Sequence, residues 1–424
     1  MQYSEIIKKM FTVHIVQVLI FVCPVISITY LLKILTVHDY GVYVFAINIG
    51  VFVSIICDYG FNLSSTQFLS QHRDDQAQLW VQFVAVTVCK LMIFSIAVIM
   101  LLSYLLLSDI ILVHKMLYAV TVLGSLGTVL IPNWFLQAIN KLDVGMWFLL
   151  MVRLLNLLLL LLLVHNTGHL FTVILINALS NVVSGILAFT YTLFLFKQLP
   201  NKALLIRQKV NYSLIKFHIK SNVSSFSVNF LATVLSLVNN FCLTRLVGFK
   251  EAGIYNVADK ILFIMISLQN LMVQVFLPHI SHNNHLKLKE MYKFMFWSGL
   301  ILGIMCSLFL MFFAKYFILL LAGHKYDNSV ILLNLLSFSP IVVFLSNFYY
   351  IKLLKNNRFI PINVAFVLGI IYLFGANYLF INHGIMYKIV AINFVISQAI
   401  TAFCFYLFSK RRHDGIGRHA ILRG

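Results

Sequence analysis

Residues Lys33–Ala46 read Lys-Ile-Leu-Thr-Val-His-Asp-Tyr-Gly-Val-Tyr-Val-Phe-Ala and join one long apolar run to the next. A related stretch, Arg245–Ala258, follows 212 positions later, which is half of the 424-residue chain. The matched positions are Lys33 with Arg245, Asp39 with Glu251, Gly41 with Gly253, Tyr43 with Tyr255 and Ala46 with Ala258. Self-similarity at a fixed offset is the signature of an internal repeat, so this spacing predicts two halves of one design.

A second echo has nearly the same offset and the same order along the chain. Residues Asn133–Phe135, followed by Lys141, correspond 214 positions later to Asn347–Tyr349, followed by Lys355. Apolar segments resemble one another by chance, and either echo alone is weak evidence. The two together favour a duplication.

The composition identifies a polytopic helical membrane protein. The chain is 61% hydrophobic and only 10% charged, with mean hydropathy +0.96, which is more apolar surface than a soluble domain can bury. The apolar runs are continuous, whereas the strands of a membrane barrel alternate. Lys8 and Lys9 precede an apolar run of spanning length, so no cleavable signal peptide is predicted.

Twelve runs are long enough for spanning helices, each of which needs about 20 apolar residues. Six fall in each half, near 11–32, 41–60, 80–107, 114–135, 146–164, 170–196, 221–246, 254–277, 293–314, 328–350, 359–381 and 386–408. The expected fold is therefore all-α, with two six-helix lobes. An even number of helices gives both halves the same orientation, so the pseudo-two-fold axis should lie along the membrane normal.

The basic residues predict the orientation and the boundaries between the lobes. Most of the 31 Lys and Arg residues fall in segments on the side of both termini, which the positive-inside rule makes cytoplasmic. The predicted parts are an N-terminal lobe (1–196), a linker (197–220), a C-terminal lobe (221–408) and a basic tail (409–424). The linker has an apolar face beside a lysine stripe, which suits either a helix on the cytoplasmic leaflet or an ordinary basic loop.

Cysteines and histidines do not predict a metal site, a disulfide or a cofactor. All six cysteines lie inside apolar runs, and none is near another in sequence. His279, His282 and His285 follow a proline in a predicted cytoplasmic loop and have no acidic or cysteine neighbour. No catalytic set emerges, and the short outer loops leave no extramembrane domain for one, so the chain is not expected to be an enzyme. The net charge of +19 is distributed as for contact with lipid rather than with nucleic acid.

Charged residues inside predicted spans are the first candidates for function, because such a charge costs about 2.5–3.5 kcal/mol at a helix centre. Basic groups outnumber acids there, and their chemistry suits phosphate or a sugar carboxylate. The candidates are Lys90, Arg153 with Asn156 on the same face, Lys260 beside Asp259, and Asp58. Each candidate also has a non-functional explanation. A long basic side chain can reach the membrane interface by snorkelling, and an acid at a helix end can contact lipid headgroups.

Polar stripes are the second set of candidates. The seventh span carries Ser225, Asn229, Thr233, Ser236 and Asn240 on one face; the sixth carries Asn177, Asn181 and Ser184; the twelfth carries Asn393, Ser397, Thr401 and Cys404. Such a stripe either lines a wet cavity or bonds to a neighbouring helix. The length of the seventh stripe favours a cavity, because sugar hydroxyls need many neutral partners.

Three motifs resemble those of O-antigen flippases, in the polysaccharide-export branch of the superfamily that includes the multidrug and toxin extrusion (MATE) transporters. Pro132–Ala138 is similar to the Pro-x-Trp-Phe-x-Gln-Gly signature, with Ala138 in place of glycine. Leu35–Tyr43 resembles the Gly-x-Tyr segment between the first two helices, and Asp58–Gly60 resembles the Asp-x-Gly ending of the second. The first two spans carry no basic residues, where some relatives place pyrophosphate-binding arginines.

The resemblance implies a MATE-like fold and translocation of an undecaprenyl-pyrophosphate-linked oligosaccharide across the bacterial inner membrane by alternating access. The expected partners are this lipid-linked substrate, the bilayer, and an O-antigen polymerase with its chain-length regulator. Lys90, Arg153 and Lys260 would hold negative charge, and the amide and hydroxyl groups of Asn156, Asn177, Asn181, Asn229, Ser236 and Asn240 would meet the sugar. Asp58 and Asp259 are candidates for ion coupling. Gly41 and Tyr43 with Gly253 and Tyr255 would form an outer gate.

Three alternatives remain open at the level of sequence. A drug or ion antiporter of the same superfamily would favour acids inside the spans, and bases prevail in this chain. An oligosaccharide polymerase or glycosyltransferase would need a large outer loop with catalytic charges. A scaffold in an envelope-assembly complex would tolerate the loss of Lys90 or Arg153 without any loss of export.

Overall fold

A computed structural model describes residues 2–71, 75–108, 112–139, 141–197, 212–282, 285–356, 358–382 and 388–410. Within these ranges the regular elements are all helical. The α-helices are α1 (Gln2–Ile34), α2 (Val37–Asp58), α3 (Phe61–Gln71), α4 (Gln76–Leu107), α5 (Leu112–Gly124), α6 (Leu126–Leu130), α7 (Asn133–Ala138), α8 (Leu142–Leu163), α9 (Leu170–Lys197), α10 (Tyr212–Leu246), α11 (Phe249–His282), α12 (His285–Ala322), α13 (Asn328–Leu336), α14 (Ser339–Lys355), α15 (Phe359–Asn382) and α16 (Ile389–Lys410).

Eleven stretches of the described chain are long and apolar enough to cross a membrane, which confirms a polytopic helical membrane protein. They correspond to all the predicted spans except the eighth, 254–277. That span falls on α11, a helix whose side chains from residue 270 to 282 lie outside the described part. The count of twelve therefore stays a prediction.

Two of the predicted spans are interrupted helices. The fourth is divided into α5, α6 and α7, with Ser125 between the first two and Pro132 before the third. The tenth is divided into α13 and α14, and Pro340 lies in the first turn of α14. A proline is compatible with a first helical turn but removes an interior hydrogen bond, which explains these positions. By contrast, α1 continues through Pro24.

Glycines hold α5 and α6 directly against α9. A Cβ on Gly127 would overlap the backbone of Asn181, and one on Gly185 would overlap the backbone of Gly127. A Cβ on Gly124 would similarly collide with Ala178. This close approach fixes the position of α9 along α5 and α6. Helix α9 carries two of the predicted site residues, Asn177 and Asn181.

The described residues group into two compact units. The first comprises those of Met1–Leu237, Gly248–Gly253 and Leu321–Lys325; the second comprises those of Val238–Val247, Ile254–Leu320 and Tyr326–Gly424. Residues 212–237 of α10, about three quarters of the helix, thus belong to the first unit. The predicted lobe boundaries stay predictions, and residues 198–211 of the predicted linker and 411–424 of the predicted tail lie outside the described ranges, as do the side chains of His279, His282 and His285.

Candidate substrate-binding and gating sites

The first unit contains a buried ion pair. The ammonium of Lys90, on α4, donates to Oδ1 of Asp58, the last residue of α2, at 3.0 Å. The side chains of Lys90 and Asp58 are only 6% and 15% exposed. Removing one partner would leave the other charge uncompensated, so each residue depends on the other. Sequence analysis gave these two residues separate roles, and the structure brings them together.

The chain turns sharply directly after Asp58. Tyr59 has φ 44° and ψ 28°, in the left-handed region, and Gly60 has φ 77°. Such a backbone is unusual for tyrosine, and it persists because the turn is held from outside. The Tyr59 ring stacks on Phe226 of α10 at 4.5 Å between centroids, and a Cβ on Gly60 would lie 2.9 Å from the Phe226 nitrogen. The turn therefore holds the end of α2, which carries Asp58, against α10.

A second polar cluster in the first unit surrounds Tyr43. The Tyr43 side chain is hydrogen-bonded to that of Asn177 on α9. Nδ2 of Asn181, one turn further along, donates to Oδ1 of Asn177 at 3.0 Å. The guanidinium of Arg153 lies close enough to the Tyr43 hydroxyl and the Cys23 thiol to interact electrostatically with both. A predicted gate residue and three predicted binding residues thus form one cluster.

Arg153 does not lie on the apolar outer face of α8. Trp147, Met151, Leu154 and Leu158 are exposed and define that face. At 100° per residue, Arg153 is roughly 130° around the helix from its centre. The Arg153 residue as a whole is exposed, its guanidinium is partly desolvated by the surrounding protein, and it is not ion-paired with any described carboxylate. It is therefore an accessible cation among polar neighbours.

The second unit contains a neutral chain of buried hydrogen bonds. Nδ2 of Asn393 donates to Oδ1 of Asn377 at 2.8 Å, and Nδ2 of Asn377 donates to Oδ1 of Asn239 at 2.9 Å. Nδ2 of Asn239 then donates to the hydroxyl of Tyr255 at 2.7 Å. All four side chains are at most 2% exposed. Because each amide satisfies the next, the chain links α16, α15, α10 and α11 without any charge.

The two repeated glycines contact each other in the first unit. A Cβ on Gly253 would lie 3.2 Å from the nitrogen of Gly41, and one on Gly41 would overlap the carbonyl of Phe249. The Phe249 ring also meets the imidazoles of His38 and His114 edge-on, at 5.6 and 5.4 Å. Only glycine permits so close a crossing of two helices. The echoed stretches are thus in direct contact at the point where sequence predicts a gate.

Of the other predicted site residues, Asp259 lies close enough to the Tyr255 hydroxyl, at the end of the buried hydrogen-bonded chain, to interact with it electrostatically. Asn156 is half-buried on α8, as are Asp259 and Lys260 on α11. On α10, Asn229 is half-buried, Asn240 is buried, and Ser236 is exposed and donates to the carbonyl of Thr233. None of these placements tests the predicted roles, which remain predictions.

Asn239 and Asn377 were not predicted as members of a network. Asn239 sits next to Asn240, on a different face of α10 from the predicted polar stripe. In the sequence, each of these residues is an amide inside an otherwise apolar run. Such a group needs a hydrogen-bond partner in a membrane, but the sequence does not identify that partner.

Residues 6–284, which are more than half of the chain, match the family model described as "Polysaccharide biosynthesis protein". The chain belongs to this family. It is 24% identical over 343 residues to a protein of Escherichia coli (strain K12) named "Putative O-antigen transporter", covering 80% of this chain and 81% of that protein. The resemblance stated from the sequence motifs is thereby confirmed.

Solved MATE transporters of the MOP superfamily share the fold. A multidrug resistance transporter in its inward-facing conformation has a TM-score of 0.69 at 13% identity, with 93% of each chain covered. The outward-facing conformation of such a transporter gives 0.61 at 13% identity, with 94% of this chain and 93% of that chain covered. At identities this low, a structural match shows the fold alone. The two matches confirm that the fold is MATE-like.

Proposed function

We propose that this protein is a flippase for a lipid-linked oligosaccharide. It would move undecaprenyl-pyrophosphate-linked O-antigen units from the cytoplasmic to the periplasmic leaflet of the bacterial inner membrane, with both termini in the cytoplasm. The observation that supports this most is the match to the polysaccharide biosynthesis family over residues 6–284, together with the O-antigen relative. A transporter role also argues against catalysis by the chain itself.

The physical task of such a protein is to replace water around a polar headgroup while the lipid tail remains in the bilayer. An isolated ion in a low-dielectric medium costs tens of kcal/mol by simple solvation estimates. The headgroup therefore needs cations for its phosphates and neutral hydrogen-bonding groups for its sugars. The cluster around Tyr43 offers both kinds of group within one unit.

Arg153 is the best candidate for the phosphate contact. Its planar guanidinium presents paired donors that match phosphate oxygens, and it is accessible and not ion-paired among the described residues. Lys90 differs, because its charge is already compensated by Asp58 at 3.0 Å. For Lys90 to bind an anion, this pair would have to open, so we assign Lys90 a conditional role and Arg153 the primary one.

The amides of the Tyr43 cluster and of α8 suit the sugar. Asn177 and Asn181 are half-buried, so each retains some accessible polar surface beyond the bond that joins them. Asn156 is likewise half-buried on the same helix as Arg153. A lining of neutral amides would accept many sugar stereochemistries, since hydroxyl groups both donate and accept hydrogen bonds. Asn229, Ser236, Asn240 and Lys260 remain secondary candidates.

The contact between Gly41 and Gly253 suits a closed outer gate. With both termini inside, the start of α2 lies on the periplasmic side, and a backbone-to-backbone contact of this kind excludes a bulky headgroup. Tyr43 lies half a turn beyond Gly41 and contacts Asn177. Opening of the gate would therefore move Tyr43 relative to the amides. In alternating access this contact would separate when the headgroup leaves.

The membrane potential can supply the driving force. An anion leaving a negative cytoplasm gains about 2.3 kcal/mol per charge per 100 mV. Antiport of protons or sodium through Asp58 or Asp259 is the alternative. In liposomes with a clamped potential, the uncoupled version requires flipping to follow the potential. Dependence on a pH or sodium gradient alone would eliminate it.

The test of the function is deletion with analysis of the lipid-linked intermediate. We expect completed lipid-linked oligosaccharide units, not yet polymerised, to accumulate on the cytoplasmic leaflet. Reintroduction of the wild-type gene should restore export. A polymerase defect would instead leave single units on the periplasmic leaflet. Normal export with altered drug sensitivity would favour an antiporter and refute the proposal.

A further inference from the structure

A lysine at the end of α14 is surrounded by aromatic rings. The ammonium of Lys352 lies 4.2 Å from the ring centre of Phe348 and 5.2 Å from those of Tyr292 and Tyr349. Cations are attracted to ring faces at such distances. The rings therefore hold this charge in one place.

A second lysine is held in the same way at the end of α16. The ammonium of Lys410 lies 4.5 Å from the ring centre of Tyr406 and is hydrogen-bonded to its hydroxyl. The rings of Tyr406 and Tyr349 contact each other edge-on, with centroids 5.2 Å apart. Two positioned ammonium groups thus flank one pair of tyrosines, within the second unit.

Positive charge dominates this end of the helices. Lys355 is exposed in the last turn of α14, and Arg358 follows, with Nη1 donating to the carbonyl of Phe408 at 2.8 Å. Neither Lys352 nor Lys410 is ion-paired with a carboxylate in the described part of the chain. An anion that reached these two ammonium groups would displace no carboxylate.

The surface beside the two lysines is apolar and exposed. Phe403 is 60% exposed and Leu407 is 43% exposed. They precede Lys410 by seven and three residues, so the three side chains lie along one side of α16. A ligand there would meet apolar side chains and then cations, as an amphiphile with a charged head requires.

The first repeat shows that the aromatic cluster does not need the lysine in order to pack. At the offset of 214, Phe348 corresponds to Trp134, Tyr349 to Phe135 and Lys352 to Ala138. Trp134 and Phe135 pack with Phe83 in a buried aromatic cluster that has an alanine at this position. Lys352 is therefore an addition of the second repeat, and its charge calls for an explanation other than packing.

We infer that Lys352 and Lys410, with Tyr349 and Tyr406, form a binding site for the phosphate headgroup of an anionic phospholipid. The ring faces would position the two ammonium groups, whose remaining N–H bonds would donate to phosphate oxygens, while acyl chains lie along Phe403 and Leu407. This site is separate from the Arg153 cluster in the first unit, and the inference does not depend on the transported substrate.

The test uses the full-length protein in phosphatidylcholine vesicles with spin-labelled lipid probes. The measured quantity is the association of labelled phosphatidylglycerol relative to labelled phosphatidylcholine. We expect the double variant Lys352→Met/Lys410→Met to lower this preference at least threefold. The double variant Lys352→Arg/Lys410→Arg should retain it. Lys315→Met, which removes an exposed lysine from α12 in the same unit, is the matched control and should change nothing.

Two results would overturn the inference. The first is an unchanged preference in the double methionine variant. The second is loss of labelled lipid when millimolar pyrophosphate is added, which would assign the site to an aqueous phosphate group. If the double variant fails to fold, Lys410→Met carries the test, because Lys410 is exposed. Export measured in cells that carry the same variants reports on the proposed function separately.

Discussion

The polar interiors of the two units differ in charge. The first unit contains the buried pair of Lys90 and Asp58 and the accessible Arg153 next to Tyr43. The second contains the chain of neutral side chains from Asn393 to Tyr255, and the Asp259 carboxylate lies close to the Tyr255 hydroxyl. The difference is informative because parts of the two sets correspond: Tyr43 aligns with Tyr255, and Asn181 aligns with Asn393, each 212 positions apart.

The comparison teaches that the two halves have a tyrosine and an amide at positions 212 residues apart but use them differently. In the first unit these groups are half-buried and adjoin a cation, as a site that exchanges ligands requires. In the second they are fully buried and are joined through Asn377 and Asn239, which rigidifies the packing of the helices. Because a cation inside a membrane is expensive, the position of Arg153 beside Tyr43 points to a function for that cluster.

The largest expected effect is on the ion pair. Lys90→Met should destabilise the protein by about 3–5 kcal/mol, because it leaves the Asp58 carboxylate buried without a partner. The measurement is thermal or denaturant unfolding in detergent.

The double variant Lys90→Met/Asp58→Asn is the control for this prediction. Removing both charges should restore most of the lost stability, since no unpaired charge remains. Additive losses in the double variant would show that the two residues act independently, and would contradict the mutual dependence of Lys90 and Asp58.

The neutral chain should respond to removal of its central member. Asn377→Leu leaves a donor on Asn393 and an acceptor on Asn239 unpaired, and each buried group costs about 1–3 kcal/mol. We expect a loss of about 2–4 kcal/mol in unfolding experiments. Transport per folded molecule should remain within twofold of wild type. A large transport defect at normal abundance would place this network in the transport machinery instead.

The smallest effect is expected for the matched tyrosines. Tyr255→Phe removes the acceptor of a fully buried amide and should cost about 1–2 kcal/mol. Tyr43→Phe should cost less than about 1 kcal/mol, because its partner Asn177 is half-buried and can bond to water. It should nevertheless slow transport more than Tyr255→Phe does. The reverse order in both measurements would exchange the roles assigned to the two units.

Much of the fold was predictable because the bilayer imposes it. An apolar run of about 20 residues has few alternatives to a spanning helix, and the predicted runs recur as eleven candidate spans. The breaks in the fourth and tenth spans were harder to predict. Their signals, Ser125 and Pro132 in one and Pro340 in the other, are also common in helices that remain continuous.

The pairing of polar groups could not be predicted from the sequence. Lys90 and Asp58 are 32 positions apart on different helices, and Asn377 and Asn239 are 138 apart. A buried polar group indicates that it needs a partner, but the packing of helices selects which one. The sequence repeat showed that Gly41 and Gly253 occupy corresponding positions. The structure adds that the two glycines are in contact.

The most direct test of the account concerns Arg153. Flipping of a pyrophosphate-linked lipid oligosaccharide is measured in proteoliposomes that contain equal amounts of wild type, Arg153→Gln, Arg153→Lys or the exposed-lysine control Lys315→Gln. Loss of a charge-assisted contact worth about 1.5–3 kcal/mol predicts that Arg153→Gln flips at least about tenfold more slowly. Arg153→Lys should be intermediate and Lys315→Gln unchanged. A wild-type rate in Arg153→Gln would contradict the assignment of the phosphate contact to the first unit.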